Sequence, residues 1–358
     1  MTDTTRKTAL HAEHVEAGAR MVPFAGWDMP LNYGSQIEEH KAVRECAGMF
    51  DVSHMTVIDL PDDSAHSFLR RLVANDVDKL NGPGQALYGA LLNESGGVVD
   101  DLIVYRRDRG YRAVVNAGTR EKVLDWLQAN NDEATTLEER DLAMIAVQGP
   151  EAVARFEAVT GTSVASLQPF NALEEGETMV ARTGYTGEDG VEVILPGQAA
   201  VALWQKLEEA GVAPAGLAAR DTLRLEAGLN LYGQDMDEET SPLVSNLAWT
   251  VDLSDREFIG KAAITAEKAA GVSAKLTGLV MQGKGVLRHG QTVSTKAGEG
   301  VITSGVFSPT LGVAIALARI PRSAKGNAEV DIRGRRQPVI IVRPPFVRGG
   351  KRVYKDPA

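Results

Sequence analysis

Gly96-Gly-Val-Val-Asp-Asp-Leu-Ile-Val-Tyr-Arg106 is an apolar, β-branched run interrupted by two adjacent carboxylates. Ser95-Gly96-Gly97 ahead of it and Arg107-Asp108-Arg109-Gly110 behind it are turn signals, so the run reads as one strand of a hairpin series. Side chains alternate along a strand. Asp100 therefore falls with Val98, Leu102 and Val104, and Asp101 with Val99, Ile103 and Tyr105. The two acids point to opposite faces and do not share a proton. An ionised carboxylate without partners is costly to bury, so at least one of them must line a polar cavity or find a donor. Two readings stand. One acid is a solvated edge residue and the other accepts backbone or Arg hydrogen bonds; or a carboxylate at the rim of an apolar pocket handles a proton or steadies a developing positive charge.

Outward from this strand the punctuation is regular. Ser35, with Glu38 three residues on, caps a helix running through Ala47, after a helical start at His11–Gly18 and an aromatic, turn-rich Pro23–Pro30. Phe50 to Asp59 reads as one strand, and Asp62 or Ser64 caps a helix to about Ala74. Strands over Ala86–Asn93, Val98–Arg106 and Tyr111–Asn116, then a helix from Thr119 to about Ala129, complete an α+β unit. From Asp141 the pattern restarts with a strand (Leu142–Val147), a helix to Val159, strands at Met179–Thr183 and Val191–Leu195, and helices over Gln198–Ala210 and Leu217–Ala227. After about Ile259 the texture changes to six short strands between Leu276 and Val342, separated by Gly and Pro, the signature of a separate barrel or sandwich.

The 358 residues are enough for two or three packed units, and 44% hydrophobic with 24% charged is an ordinary globular composition. No run approaches the roughly 18 apolar residues of a membrane span, and Met1–Lys7 lacks the apolar core of a secretory signal. A cytoplasmic protein without membrane attachment is expected. Cys46, the only cysteine, allows no intramolecular disulfide and no thiolate metal cluster; it is expected to be a small core residue. The net charge of −10 argues against nucleic-acid binding. The C-terminal stretch is nonetheless basic, with Arg333, Arg335, Arg336, Arg343, Arg348, Lys351, Arg352 and Lys355 against Asp331 and Asp356.

Common catalytic signatures are missing. Gly260-Lys261 is followed by Ala262, so there is no P-loop, and no GxGxxG joins a strand to a helix as nicotinamide binding requires. His11 and His14 lack the HExxH arrangement of zinc hydrolases, and His54 reads as structural. In Gly184-Tyr-Thr-Gly-Glu-Asp-Gly-Val-Glu-Val193, three glycines at spacing three suit either a tight hairpin or a wall against a flat ligand, and Glu192 projects beyond them. In the helix after Gly216, Asp221 can pair with Arg224. Arg220 has no obvious local partner, which makes it the better ligand candidate.

Met21-Val-Pro-Phe-Ala-Gly-Trp27, Phe50-Asp-Val-Ser-His-Met55, Gly96–Arg106, Thr183-Gly-Tyr-Thr-Gly-Glu-Asp-Gly190, Ala218–Gly228 and Thr303-Ser-Gly-Val-Phe-Ser-Pro-Thr-Leu-Gly312 together resemble the T-protein family of the glycine cleavage system, from about Lys7 to Val347. The resemblance implies an α+β fold: two folate-binding lobes within residues 7–260 (about 1–50 with 140–240, and 51–139) and a C-terminal antiparallel β-barrel over 274–354, in a three-lobed ring around a central cavity. It implies a tetrahydrofolate-dependent aminomethyltransferase. The methylene carbon passes from the aminomethyl-dihydrolipoyl arm of H protein to tetrahydrofolate, ammonia leaves, and neither a metal nor a nicotinamide is used. Asp101 matches the family's key aspartate, Glu192 its pterin-binding glutamate and Arg220 its binding arginine. Met55, Tyr88, Val115 and Asn116 match cavity walls, and Arg288 is a candidate for the folate tail carboxylates. The expected partner is the lipoylated H protein, with no nucleic acid, no membrane and a monomeric enzyme. Where some relatives place a ligand-contacting Tyr near the C-terminus, this chain has Lys351, with Tyr354 three residues on, so that contact is not transferred. The nearest rival is a folate-dependent demethylase of a small methylated sulfur or nitrogen compound on the same scaffold; a non-catalytic folate-binding or RNA-modification accessory protein is the rival from another class.

Overall fold

Ser35 opens the helix Gln36–Glu45 with its hydroxyl accepting from Glu38 N at 3.3 Å, and the strand Gly48–Asp51 follows directly. The computed structural model describes residues 5–356; Met1–Thr4, part of the stretch read above for a secretory signal, and Pro357–Ala358 lie outside them. The chain forms two compact units. One holds the residues up to Phe68 with Asp78–Leu87 and Leu102–Arg220, the other Leu69–Val77, Tyr88–Asp101 and the residues from Asp221 on.

In the first unit a six-stranded sheet runs in the order Ala172–Glu175, Thr178–Ala181, Gly190–Leu195, Ala143–Gln148, Gly48–Asp51, Ala213–Pro214. Its pairs are antiparallel except the last, where Ala213 lies beside Gly48 in parallel. Gly190–Leu195 and Ala143–Gln148 are buried along their whole length. Helices Ala152–Thr160 and Gly197–Glu209 bring Phe156, Trp204 and Leu207 against Ile145, Val147, Val191 and Val193. Each large side chain buried there contributes about 1.5–3 kcal/mol. A second sheet has the order Ala86–Leu92, Val98–Arg106, Tyr111–Val115, Thr56–Leu60, Glu138–Arg140.

The single strand expected over Phe50–Asp59 is two strands in two different sheets, Gly48–Asp51 and Thr56–Leu60. The break follows from Asp51. Its carboxylate is buried, accepts Ser53 N at 2.9 Å and turns the chain, while Thr8 Oγ1 (2.6 Å) and His14 Nε2 (2.9 Å) hold its other oxygen. The polar residues between are compatible with strand alternation, so pattern alone does not reveal the turn. Cys46 also departs from expectation: it is exposed, at the end of its helix. The hairpin Arg20–Phe24/Trp27–Asn32 and the alanine-rich helix Lys261–Ala270 are further elements that periodicity did not signal.

In the second unit the six late strands close into an antiparallel barrel, in the order Ala274–Met281, Val313–Pro321, Gly298–Ser308, Thr292–Thr295, Asn327–Ile332, Arg335–Val342. Strand Val313–Pro321 shows why it closes at this size. Ala314, Ala316 and Ala318 pack with Leu279, Ile302, Val330 and Val339, while Ile315 and Leu317 pack on the alternate face with Leu225 and Phe346. A narrow barrel interior has room for small side chains. Arg224 and Glu226 tie the helix Leu217–Glu226 to this barrel, Arg224 through Asp235 (2.9 Å) and Ser304 (2.9 Å), Glu226 through Ser308 and Thr310. No helix among the described residues is long and apolar enough to cross a membrane.

Candidate functional site

Of the two adjacent acids, Asp100 is fully buried and Asp101 half-buried. Within the second unit Tyr88 Oη donates to Asp101 Oδ2 at 2.9 Å. The Tyr88 ring stacks on Trp249, with centroids 5.7 Å apart and planes 22° from parallel. Trp249 is 66% exposed, an unusual place for an indole, and the stack holds the hydroxyl that orients the carboxylate. The strand's entry is equally constrained, since a Cβ at Gly97 would lie 1.7 Å from the Glu238 carbonyl oxygen.

In the first unit Glu192 is 5% exposed on the strand Gly190–Leu195 and accepts from Thr183 Oγ1 at 2.7 Å. The Tyr105 hydroxyl lies 3.4 Å from the same Thr183 oxygen. Thr183 is fixed in turn by Gln148, whose Nε2 donates to the Thr183 carbonyl at 3.1 Å and whose Oε1 accepts from Thr186 Oγ1 at 2.9 Å. The glycine motif makes this possible. A Cβ at Gly184 would fall 1.9 Å from Gln148 Oε1 and one at Gly190 2.1 Å from the Val147 carbonyl, while Gly187 has φ +79°. The three glycines wrap the loop around Gln148.

Arg220 lies over the Tyr185 ring, 4.7 Å from its centroid, and its Nη1 is buried without a hydrogen-bond partner. Burial pulls the guanidinium pKa down, and the Glu192 carboxylate and Tyr185 oppose that. Arg224, one turn on, pairs with Asp221 at 2.8 Å as the spacing predicts. His54 is 5% exposed, packs edge-to-face on Phe24 at 5.5 Å, and its Nδ1 also has no partner. Burial pushes its pKa down to about 4, with Asp51 opposing and the Arg220 charge adding to the fall, so the ring is neutral near pH 7.

The remaining candidates are placed as follows. Met55 and Asn116 are half-buried in the first unit, and Val115 is fully buried there between Thr56 and Leu102. The Asn116 carbonyl accepts from Thr119 Oγ1 at 3.0 Å. Arg288 is exposed in the second unit, its backbone N donating to Gln291 Oε1 at 2.8 Å. The first unit thus holds Glu192, Arg220, Met55, Val115 and Asn116, and the second holds Asp101, Tyr88 and Arg288. Thr183, Trp249 and the unpartnered His54 were not singled out by pattern. Thr183 opens the glycine motif and His54 sits in Asp51-Val-Ser-His-Met55, so both had a positional signal; Trp249 had none.

The buried polar groups sit on an α+β unit, and a closed barrel follows it in the chain. Residues 10–255 match the GCVT N-terminal domain and residues 275–348 the glycine cleavage T-protein C-terminal barrel domain. The chain belongs to the aminomethyltransferases of the glycine cleavage system, the T-protein family. It is 55% identical over 357 residues to an aminomethyltransferase of Alcanivorax borkumensis, covering 98% of this chain and 99% of that one. An aminomethyltransferase of Stenotrophomonas maltophilia is 56% identical over 360 residues, covering 97% of each. The crystal structure of glycine cleavage system aminomethyltransferase T from Bartonella henselae superposes with a TM-score of 0.91 at 34% identity, covering 98% of this chain and all of that one. These relatives favour aminomethyl transfer over the demethylase alternative.

Proposed function

We propose that the enzyme passes the methylene carbon of an aminomethyl group, carried on the dihydrolipoyl arm of H protein, to tetrahydrofolate, releasing ammonia. The observation that carries the folate assignment is the unsatisfied Arg220 Nη1 beside the buried, Thr183-held Glu192. A pterin presents adjacent ring and amino N–H donors for a carboxylate and a carbonyl edge for a cation, and this pair supplies both complements. Glu192 accepts from the ring, Arg220 donates to it, Met55, Tyr88, Val115 and Asn116 wall it, and Arg288 meets the tail carboxylates. Asp101, oriented by Tyr88, positions the folate nitrogens and steadies the cationic, iminium-like carbon while the amine departs. The same reading assigns residues 7–260 to two folate-binding lobes, about 1–50 with 140–240 and 51–139, with the barrel domain over 274–354. The enzyme acts as a cytoplasmic monomer.

The test is single-turnover formation of methylenetetrahydrofolate and ammonia from aminomethylated H protein. Wild type should give both products, and Asp101→Asn should fold normally while the rate falls by about 10²–10⁴. Asp100→Asn, on the opposite face, should change the rate far less. Turnover of a free small methylated substrate without H protein would overturn the proposal.

A further inference from the structure

We infer that His54 Nδ1 makes a hydrogen bond to the pterin ring, on the same ligand edge that Arg220 Nη1 meets. This rests on the folate reading above and adds a residue that sequence pattern assigned to structure alone.

The backbone that carries His54 is firmly set. Val52 N donates to the Met144 carbonyl at 2.9 Å, Met144 N donates to Ser53 Oγ at 3.0 Å, Ser53 N to Asp51 Oδ1 at 2.9 Å, and Met55 N to the Val52 carbonyl at 3.1 Å. Behind it the Asp51 carboxylate is held by Thr8 and by His14, whose Nδ1 meets the Tyr33 hydroxyl at 2.8 Å. Every polar group of that network finds a partner except the imidazole at its tip. Leaving a buried nitrogen without a partner costs about 1–3 kcal/mol, and the edge-to-face contact with Phe24 offers Nδ1 no polar partner. The same holds for Arg220 Nη1, and the two groups are near enough that the guanidinium charge acts on the ring. A neutral imidazole and a cation of this kind suit a flat heterocycle whose edge alternates acceptors and donors. The imidazole also adjoins Met55 in the chain, so one short turn supplies both an apolar wall and a polar contact.

A histidine that merely fills the core and one that faces a ligand respond oppositely to substitution. His54→Leu removes the unsatisfied nitrogen, so the melting temperature of the free enzyme should hold or rise, while the Kd for tetrahydrofolate rises about tenfold or more. His54→Asn, which puts an amide near the Nδ1 position, should recover part of the affinity. Calorimetric titration of the intact enzyme with tetrahydrofolate, beside thermal unfolding without it, reads both quantities. A lower melting temperature in His54→Leu with an unchanged Kd would overturn the inference. Glu192→Gln in the same titrations separates the two layers: weakened binding there but not in His54→Leu sinks the histidine contact alone, and unchanged binding in both sinks the pterin assignment with it.

Discussion

Asp59 and Arg220 are both charged side chains held in the first unit, and they are treated in opposite ways. Asp59 is 2% exposed and faces three cations: Arg112 donates from Nε at 2.7 Å and Nη2 at 2.9 Å, Arg140 Nη1 at 2.8 Å, and Arg107 Nη1 lies 2.9 Å away. Arg220 has the face of Tyr185, the field of Glu192, and a buried Nη1 with nothing to donate to. A saturated charge has finished its work when the protein folds, whereas an unsaturated one carries a cost that a bound partner removes. Asp59 is fully paired while Arg220 Nη1 is not, and the two residues carry opposite expectations.

The largest expected effect lies on the saturated side. Asp59→Ala leaves three arginines facing one another and should cost about 3–5 kcal/mol of stability, read by chemical denaturation, with kcat per folded molecule little changed. Burial would raise the Asp59 pKa, but Arg112, Arg107 and Arg140 outweigh it and hold the pKa below the usual carboxylate range. A carboxylate depressed in the folded state contributes stability above its unfolded pKa of about 4 and loses it as the pH falls through that range. The acid limb of the wild-type stability curve should therefore be steeper than that of Asp59→Asn. A flat acid limb in both would remove Asp59 from the saturated class.

On the unsaturated side the split should reverse. Glu192→Gln should weaken tetrahydrofolate by about 1.5–3 kcal/mol, since a charged hydrogen-bond pair becomes a neutral one. Arg220→Met should weaken it comparably while leaving the melting temperature of the free enzyme level or higher. If Arg220→Met instead unfolded the protein without touching the Kd, the two regions would be of one kind and the distinction drawn from Asp59 would fail.

Much of this contrast was legible beforehand, and the reasons for the rest are physical. The barrel strands announce themselves because a β-strand carries its pattern locally, one face at a time. Arg220 stood out by elimination, because Asp221 and Arg224 satisfy each other within one helical turn. His54 did not, since whether a buried imidazole is partnered depends on groups distant in sequence: Phe24 across a hairpin, Asp51 at a turn, Arg220 on a helix. The break at Asp51 was hidden for the same reason. Its partners are Thr8 and His14, and alternation across Val52–Met55 is equally compatible with a strand or with two strand ends and a turn.

The exposed C-terminal cations extend the comparison to the surface, with the smallest expected effects. Arg348 and Lys351 face each other across the short hairpin Val347–Arg348/Lys351–Arg352 and are both exposed. Arg352 beside them is committed: its guanidinium lies 4.1 Å from the Tyr354 ring centroid and it pairs with Asp356. If this basic segment attracts H protein, the uncommitted cations carry that attraction. Arg348→Ala with Lys351→Ala should raise the KM for H protein a few-fold and flatten its salt dependence, since rim charges act through encounter and typically contribute about 0.2–1 kcal/mol each. Arg352→Ala, already neutralised by its neighbour, should change the KM less than either. An equal loss from Arg352→Ala would show that saturation does not separate scaffold from site at the surface as it does inside the first unit, because solvent already satisfies every exposed charge.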